Sequence, residues 1–448
     1  MLLPETERAL LHRVATAQRE GRVPSMAAAV ARNGERAWSH AIETTTDTQF
    51  RIGSLTKTFV AVLVLRLRDE GRLALDDLLE KHLPDAPVRG VTIGQLLSHT
   101  AGLASETPGP WWERTAGDIR PAVGDILDEE SQKFPPTRRY HYSNPGFALL
   151  GAVVEQLRGR AWADALQQEV LQPLEMPRTT FAPQEPHARG MAVHPWADLV
   201  MAEMVHDVGR MAPAGQLWST VEDLCRFARL ISGDAPDVLA PDTVAEMREP
   251  RSAPEVDGWD SPYGLGMQLL RRPQGMLAGH TGSMPGFLCT LWVSVEDDVA
   301  GVALANTTSG LAIGGLVADL VGIVAEREPR IPAPWKPLAD ADASLLELVG
   351  PWYWGPAGFG LRLEAKGELQ LSPLTGVGRG ARFRRSDEDT WIGLNGYYAG
   401  ETLRPVRDEA GRLTHLDIGS FVFTRQPYDA DAPIPGGVDP DGWRGEEP

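Results

Sequence analysis

The amino-acid sequence predicts an α/β (α+β) chain: an antiparallel sheet flanked by helices, with an all-helical insertion, and after it a small C-terminal antiparallel β-barrel or sandwich. Three observations predict it. Strand signals stand near the start (SMAAAVARNGERAWSHAIE) and return at YGLGMQLL, MLAGHT, FLCTLWVSVED and VAGVALANT, with helical spacing in between. Pro329, Pro332, Pro334 and Pro337 then forbid a helix and favour a stiff extended linker. Beyond that linker the apolar runs are short and punctuated by turn residues.

Residues 5–21 (ETERALLHRVATAQREG) have helical spacing and end at Gly21. Asn33-Gly34 separates two runs of small and apolar residues, and both positions tolerate φ > 0, so the pair predicts a hairpin. TQFRIG leads into TFVAVLVLRLRDEGRL, which is apolar on nearly every face and reads as a buried central helix. From about 75 to 250 the chain is mostly helical with long loops (LDDLLEKHLP, TIGQLLSHT, NPGFALLGAVVEQLRG, WADALQQEVLQPL, TVEDLCRFARLIS), and Ser219 with Glu222 reads as a capping box. A Gly/Ala-rich helix, LAIGGLVADLVGIVAE, follows the returning strands. The expected domains are 1–328, a linker at 329–344, a β unit at 345–428 and an unfolded acidic tail at 429–448. No internal repeat is present.

The chain has 448 residues, 42% hydrophobic and 23% charged, ordinary for a globular protein and long enough for two or three domains. A net charge of -18 argues against a nucleic-acid partner, which demands a basic face. No stretch approaches the roughly 20 apolar residues that cross a bilayer, so no membrane association is expected. The N-terminus lacks a basic region followed by an apolar core, and a cytoplasmic location is expected. Cys225 and Cys289 are far apart and read as reduced packing residues. Metal-ligand spacing, a phosphate-binding loop and a dinucleotide fingerprint are all absent, so no metal or cofactor is expected.

Three short motifs carry chemistry. Ser54 and Lys57 stand three residues apart, on one helical face, with the serine near a helix N-terminus whose partial positive charge favours an anion. A serine hydroxyl needs a base, and a buried lysine amine can be one. The only lysines are Lys57, Lys81, Lys133, Lys336 and Lys366; all other basic side chains are arginines, which cannot give up a proton. Tyr142 and Asn144 precede Pro145 and a new helix: a tyrosine beside a cation can ionise below about 10, and an asparagine can donate to and accept from an amide. His280, Thr281, Gly282 and Ser283 close a strand, where the glycine leaves room for a substrate along the edge and backbone N–H groups of Ser283 and Ser54 can form an oxyanion hole. Taken alone, Ser54 with a rare Lys57 reads as catalytic more readily than as a helix start with a snorkelling lysine, whereas the Tyr142 and His280 segments read more readily as a capped turn and a glycine-bounded turn.

Together, Ser-x-x-Lys, Tyr-x-Asn and His-Thr-Gly in that order resemble the serine β-lactamase and penicillin-binding protein superfamily, and FRIGSLTKTF, TIGQLLSHTAGL, YSNPGFALLGAVVE and PAGQLWSTVEDLCRFARL are similar to its segments over about 5–328. The resemblance implies Ser54 as acylated nucleophile, Lys57 as base or relay, and Tyr142 as general base of the branch that holds class C β-lactamases, DD-peptidases, D-aminopeptidases and family VIII esterases. It implies that Asn144, His280, Thr281, Gly282 and Ser283 bind substrate. Class C β-lactamases carry lysine where His280 stands, so weak β-lactam turnover is expected. The implied activity is amide or ester cleavage on small molecules or short peptides containing D-residues. An acyltransferase or peptide cyclase, an esterase or β-lactamase, and a non-turning penicillin-binding sensor remain alternatives. Met191, His194, Trp196, Met201, Met204 and His206 read as core more readily than as a flap, and His99 as a structural loop histidine. The C-terminal unit resembles the lipocalin-like appendage of some D-aminopeptidases, and fits gating, packing or homo-oligomerisation equally.

Overall fold

The computed structural model describes residues 2–429 apart from 120–121, 129, 255–259, 339–342, 365–366, 377 and 388. The tail from 430 lies outside the described residues. The chain divides between Ile331 and Pro332 into two compact units, inside the proline-rich segment.

The first unit is built on a six-stranded antiparallel sheet: β1 (Met26–Arg32), β2 (Glu35–Ile42), β5 (Gln268–Arg272), β6 (Gly275–Met284), β7 (Phe287–Ser294) and β8 (Val299–Ala305), in the order β2-β1-β8-β7-β6-β5. The Asn33-Gly34 turn joins β1 and β2, with φ of 51° and 70°. Strand β1 is central and buried on both sides. Ala27, Ala29 and Ala31 join one core and Met26, Ala28 and Val30 the other, the period of two expected of a strand between two helical layers. Helices α1 (Pro4–Glu20) and α5 (Ile313–Arg327), from opposite ends of the unit, share one of these layers through Leu10, Val14, Leu316 and Leu320.

The other face packs against the helical insertion. Helix α2 (Thr56–Asp69) is buried continuously from Thr56 to Leu65, which explains its lack of a polar face. Its Phe59 ring stacks on Phe227 of α4 (Val221–Ser232) with centroids 3.8 Å apart. Each such buried side chain contributes about 1.5–3 kcal/mol relative to exposure. Helix α3 (Asn144–Arg158) begins at the N-cap Ser143, whose Oγ accepts from the Gly146 N–H at 3.1 Å, and ends at Gly159 in the left-handed region. The cap of α4 is Thr220, accepting from Asp223 N–H, rather than the expected Ser219; the serine instead pairs its hydroxyl with Thr179 at 2.8 Å.

The Met-rich stretch corrects an expectation. It is a two-stranded hairpin, β3 (Met191–Val193) and β4 (Val200–Ala202), and Trp196 and Met204 are 90% and 69% exposed rather than core. Cys225 and Cys289 are buried and unbridged. Among the described residues no helix is long and apolar enough to cross a membrane.

The second unit is a closed barrel of eight strands in sequence order, β9 (Gly350–Trp354), β10 (Ala357–Leu363), β11 (Leu369–Pro373), β12 (Ala381–Asp387), β13 (Thr390–Gly393), β14 (Thr402–Arg407), β15 (Leu413–Ile418) and β16 (Phe421–Thr424), with β9 pairing β16 to close it. Trp352, Phe359, Phe383, Trp391 and Phe423 fill its core.

Candidate active site

Ser54 sits in a single 3₁₀ turn, Gly53–Leu55, that runs directly into α2. One turn on, Lys57 Nζ lies 2.9 Å from Ser54 Oγ and 2.7 Å from the Ala214 carbonyl. Lys57 has no exposed surface. Burial lowers its pKa from 10.5 to about 7, against the opposing pull of Glu106 and Glu113. Near neutral pH a large share of the amine is therefore uncharged. An N–H can then stay on the Ala214 carbonyl while the lone pair faces the serine hydroxyl.

Tyr142 hydrogen-bonds Ser54, and Lys57 Nζ lies over its ring, 5.0 Å from the centroid. The sequence reading expected a neighbouring cation to depress the tyrosine. Burial instead raises its pKa above the ordinary range; the bond to Ser54 opposes this, while Tyr140, Glu106 and Glu113 push the same way as burial. Tyr142 is a neutral phenol at physiological pH. Its segment is fixed by the preceding loop: Ser143 N–H donates to His99 Nδ1 at 3.0 Å, His141 N–H to the His99 carbonyl at 2.8 Å, and Asn144 N–H to Ser105 O at 3.0 Å. His99 thus holds the Tyr142 segment through its ring nitrogen and its carbonyl. Asn144 donates its Nδ2–H to Glu106 Oε1 at 2.9 Å.

The third wall is β6. Strand β5 pairs only with residues 275–279, so, among the described residues, 280–284 have β7 on one side and no strand on the other. Thr281 N–H and Oγ1 both donate to Gln268 Oε1 at 2.9 Å, on the open side. By the alternation of a strand, the Ser283 N–H points the same way. A Cβ on Gly53 would lie 2.6 Å from both the N and the O of Ser283, so the Ser283 backbone packs directly against the turn that carries Ser54.

Two expectations at this wall are corrected. Gly282 makes room for the nucleophile turn rather than for a ligand: a Cβ there would lie 1.9 Å from the Ile52 carbonyl oxygen. His280 is fully buried and spends both ring nitrogens internally. Its Nδ1–H donates to the Thr281 carbonyl at 2.5 Å, and its Nε2 accepts from the Tyr263 hydroxyl at 3.1 Å. Burial, then the Lys57 charge, lowers its pKa to about 3. It supplies neither a free donor nor a positive charge.

Sequence reasoning missed the acidic loop SETPGPWWER. Glu106 accepts from Asn144 and, through Oε2, from Trp112 Nε1–H at 2.5 Å. Glu113 accepts from Trp111 Nε1–H at 2.9 Å and is raised in pKa, first by burial. Both carboxylates act on Lys57. The available signal was adjacent tryptophans beside acids in a loop without any period, a composition suited to binding rather than packing.

The β-lactamase family profile matches residues 9–326, and that of a domain of unknown function matches 341–425. Penicillin-binding protein 4 of Amycolatopsis lactamdurans is 32% identical over 320 residues, which cover 65% of this chain and 82% of that protein. Esterase EstB of Burkholderia gladioli is 34% identical over 210 residues, covering 40% of this chain and 52% of the esterase. The chain likewise spans about half the length, 47% and 57%, of two other curated relatives. The solved structure of a D-stereospecific amidohydrolase from Streptomyces sp. superposes with a TM-score of 0.60 at 26% identity, covering 72% of this chain and 99% of that one.

Proposed function

The chain belongs to the β-lactamase family of serine hydrolases, and we propose that it forms an acyl-enzyme at Ser54 and cleaves amide or ester bonds of small D-amino-acid derivatives or short peptides bearing a free ammonium group. The observation that carries this reading is the 2.9 Å contact of Ser54 Oγ with a fully buried lysine whose pKa is about 7.

Neutral Lys57 takes the Ser54 proton as Oγ adds to the substrate carbonyl carbon. The Ser54 and Ser283 N–H groups hold the resulting oxyanion. The ammonium of Lys57 returns its proton to the leaving amine or alcohol, with the Tyr142 hydroxyl as relay, and the bond to that group breaks. A water molecule then gives its proton to the same base and adds to the acyl carbon, and the base passes that proton to Ser54 Oγ as the bond from Oγ to the acyl carbon breaks and the acid leaves.

Glu106 and Glu113 flank Asn144 and Lys57, a charge arrangement that attracts a cationic substrate end. The similarity to a D-stereospecific amidohydrolase supports the D-configured substrate. Similarity to esterase EstB favours a second reading, a carboxylesterase using the same acyl-enzyme. In the second unit, eight up-and-down strands closing on themselves support the lipocalin-like reading of the barrel.

A panel of D- and L-amino-acid p-nitroanilides beside p-nitrophenyl esters, with intact-mass detection of the adduct, tests the proposal. It expects a covalent acyl species on the native protein, none on Ser54→Ala, and preference for D-anilides. Ester turnover without anilide turnover supports the second reading; an adduct that persists in Ser54→Ala overturns both.

A further inference from the structure

Glu203, directly after β4, lies outside the site yet is tied to it by an unbroken chain of contacts. Its side chain is 7% exposed and accepts two bonds from the Arg114 guanidinium, at 2.5 and 2.8 Å. Thr308 Oγ1 donates to the same carboxylate at 2.8 Å and accepts from the Gly286 N–H at 2.9 Å, in the turn between β6 and β7. On the other side, Arg114 lies 4.7 Å from the Trp111 ring centroid, and Trp111 Nε1–H donates to Glu113. Trp111 is 55% exposed, so packing alone does not fix its ring. The hairpin is pinned at its far end too, since Arg22 donates to the His194 carbonyl at 3.2 Å and pairs with Asp198 at 2.9 Å. A bidentate Arg–carboxylate pair holds its geometry far better than an exposed lysine contact.

We propose that Glu203 is a positioning residue that sets Glu113 through Arg114 and Trp111, so that the β3–β4 hairpin governs selection of substrates with a free ammonium group. This rests on the reading of Glu106 and Glu113 as the site for that group. Glu203 does not touch the reacting atoms; it fixes the two surfaces that meet at the acidic loop, the hairpin and the β6–β7 turn. Loss of its charge frees Arg114, then the Trp111 ring, and the Glu113 carboxylate loses its fixed direction.

The experiment measures kcat and KM of the full chain for D-alanyl p-nitroanilide and its N-acetyl analogue, on Glu203→Gln, Arg114→Lys and Trp111→Phe, with thermal midpoints alongside. The ratio of kcat/KM values, free amine over N-acetyl, is expected to fall about tenfold in each variant, chiefly through KM, since a small misplacement of a binding group costs 10- to 100-fold. Trp111→Phe removes the bond to Glu113 while keeping an aromatic ring beside Arg114, so it reproduces the loss with the Arg114–Glu203 pair intact. An unchanged ratio, or a parallel fall for both substrates with a lower midpoint, overturns the proposal and leaves Glu203 a purely structural residue. Glu113→Gln separates the two readings. If it alone lowers the ratio, only the coupling to Glu203 fails; if even it leaves the ratio unchanged, the acidic site fails and this inference with it.

Discussion

Lys57 Nζ sits 2.9 Å from Ser54 Oγ, on a side chain with no exposed surface. The contact joins a nucleophile to an amine that is costly to charge, and most of the expected behaviour follows from that cost.

The kcat/KM of the native protein is expected to rise with pH through one limb near 7, the value to which burial brings Lys57. The neutral amine is the active form, so activity is lost as pH falls. Stability carries the same sign. Between about 7 and the ordinary lysine value of 10.5, the unfolded chain binds more protons than the folded one, so stability rises with pH across that window. Below it both states hold the proton and the folded chain bears the full cost of a buried cation. Urea titrations of native protein and Lys57→Met should therefore show the variant's advantage shrinking from pH 7 to 10. His280, with its pKa near 3, adds no limb around 6.5.

Glu113→Gln is expected to move the acid limb below that of the native protein. The carboxylate favours the lysine cation, so its removal makes Lys57 easier to deprotonate. A pH–rate profile on an uncharged ester reads the shift, and a limb displaced upward would contradict this electrostatic picture.

Gly282→Ala is expected to lower kcat by about 100-fold or more, since its Cβ would fall 1.9 Å from the Ile52 carbonyl and push the nucleophile turn off its geometry. Steady-state kinetics with a circular-dichroism check on folding decides it. Near-native kcat in a folded variant would show that the turn has slack.

Nitrocefin is expected to acylate Ser54 and be released slowly. No fixed positive charge stands at position 280 to hold a β-lactam carboxylate, because the histidine is neutral and turned inward. Rapid multiple-turnover hydrolysis, followed at the chromophore, would contradict that account.

Phe59→Ala is expected to destabilise the first unit by about 3–5 kcal/mol, the usual cost of removing a buried aromatic ring. Its stack on Phe227 joins α2 to α4. Urea melts of the variant test it.

The fold was legible where period and punctuation agree. Asn33-Gly34, the featureless apolarity of α2 and the four linker prolines each admit few local conformations. In the site, a spacing of three on a helix brought Ser54 and Lys57 together. The distant members needed tertiary information. His280 sits on the expected strand, but only the Tyr263 hydroxyl and its own Thr281 carbonyl reveal which way its ring faces. Glu106 and Glu113 stand in an aperiodic loop, and their approach to Lys57 depends on how that loop packs. The hairpin at 191–202 misled because methionine and tryptophan usually mark a core; here ion pairs and backbone bonds anchor it instead.

Past residue 279 the edge of β6 is held by the chain itself: Gln268 takes the Thr281 N–H, His280 the Thr281 carbonyl, and the Gly53–Leu55 turn packs on Ser283. Little main-chain edge is therefore left to grip a long peptide, and under the proposed function selection falls to what surrounds the scissile bond: the handedness of the adjacent carbon and the presence or absence of a terminal cation.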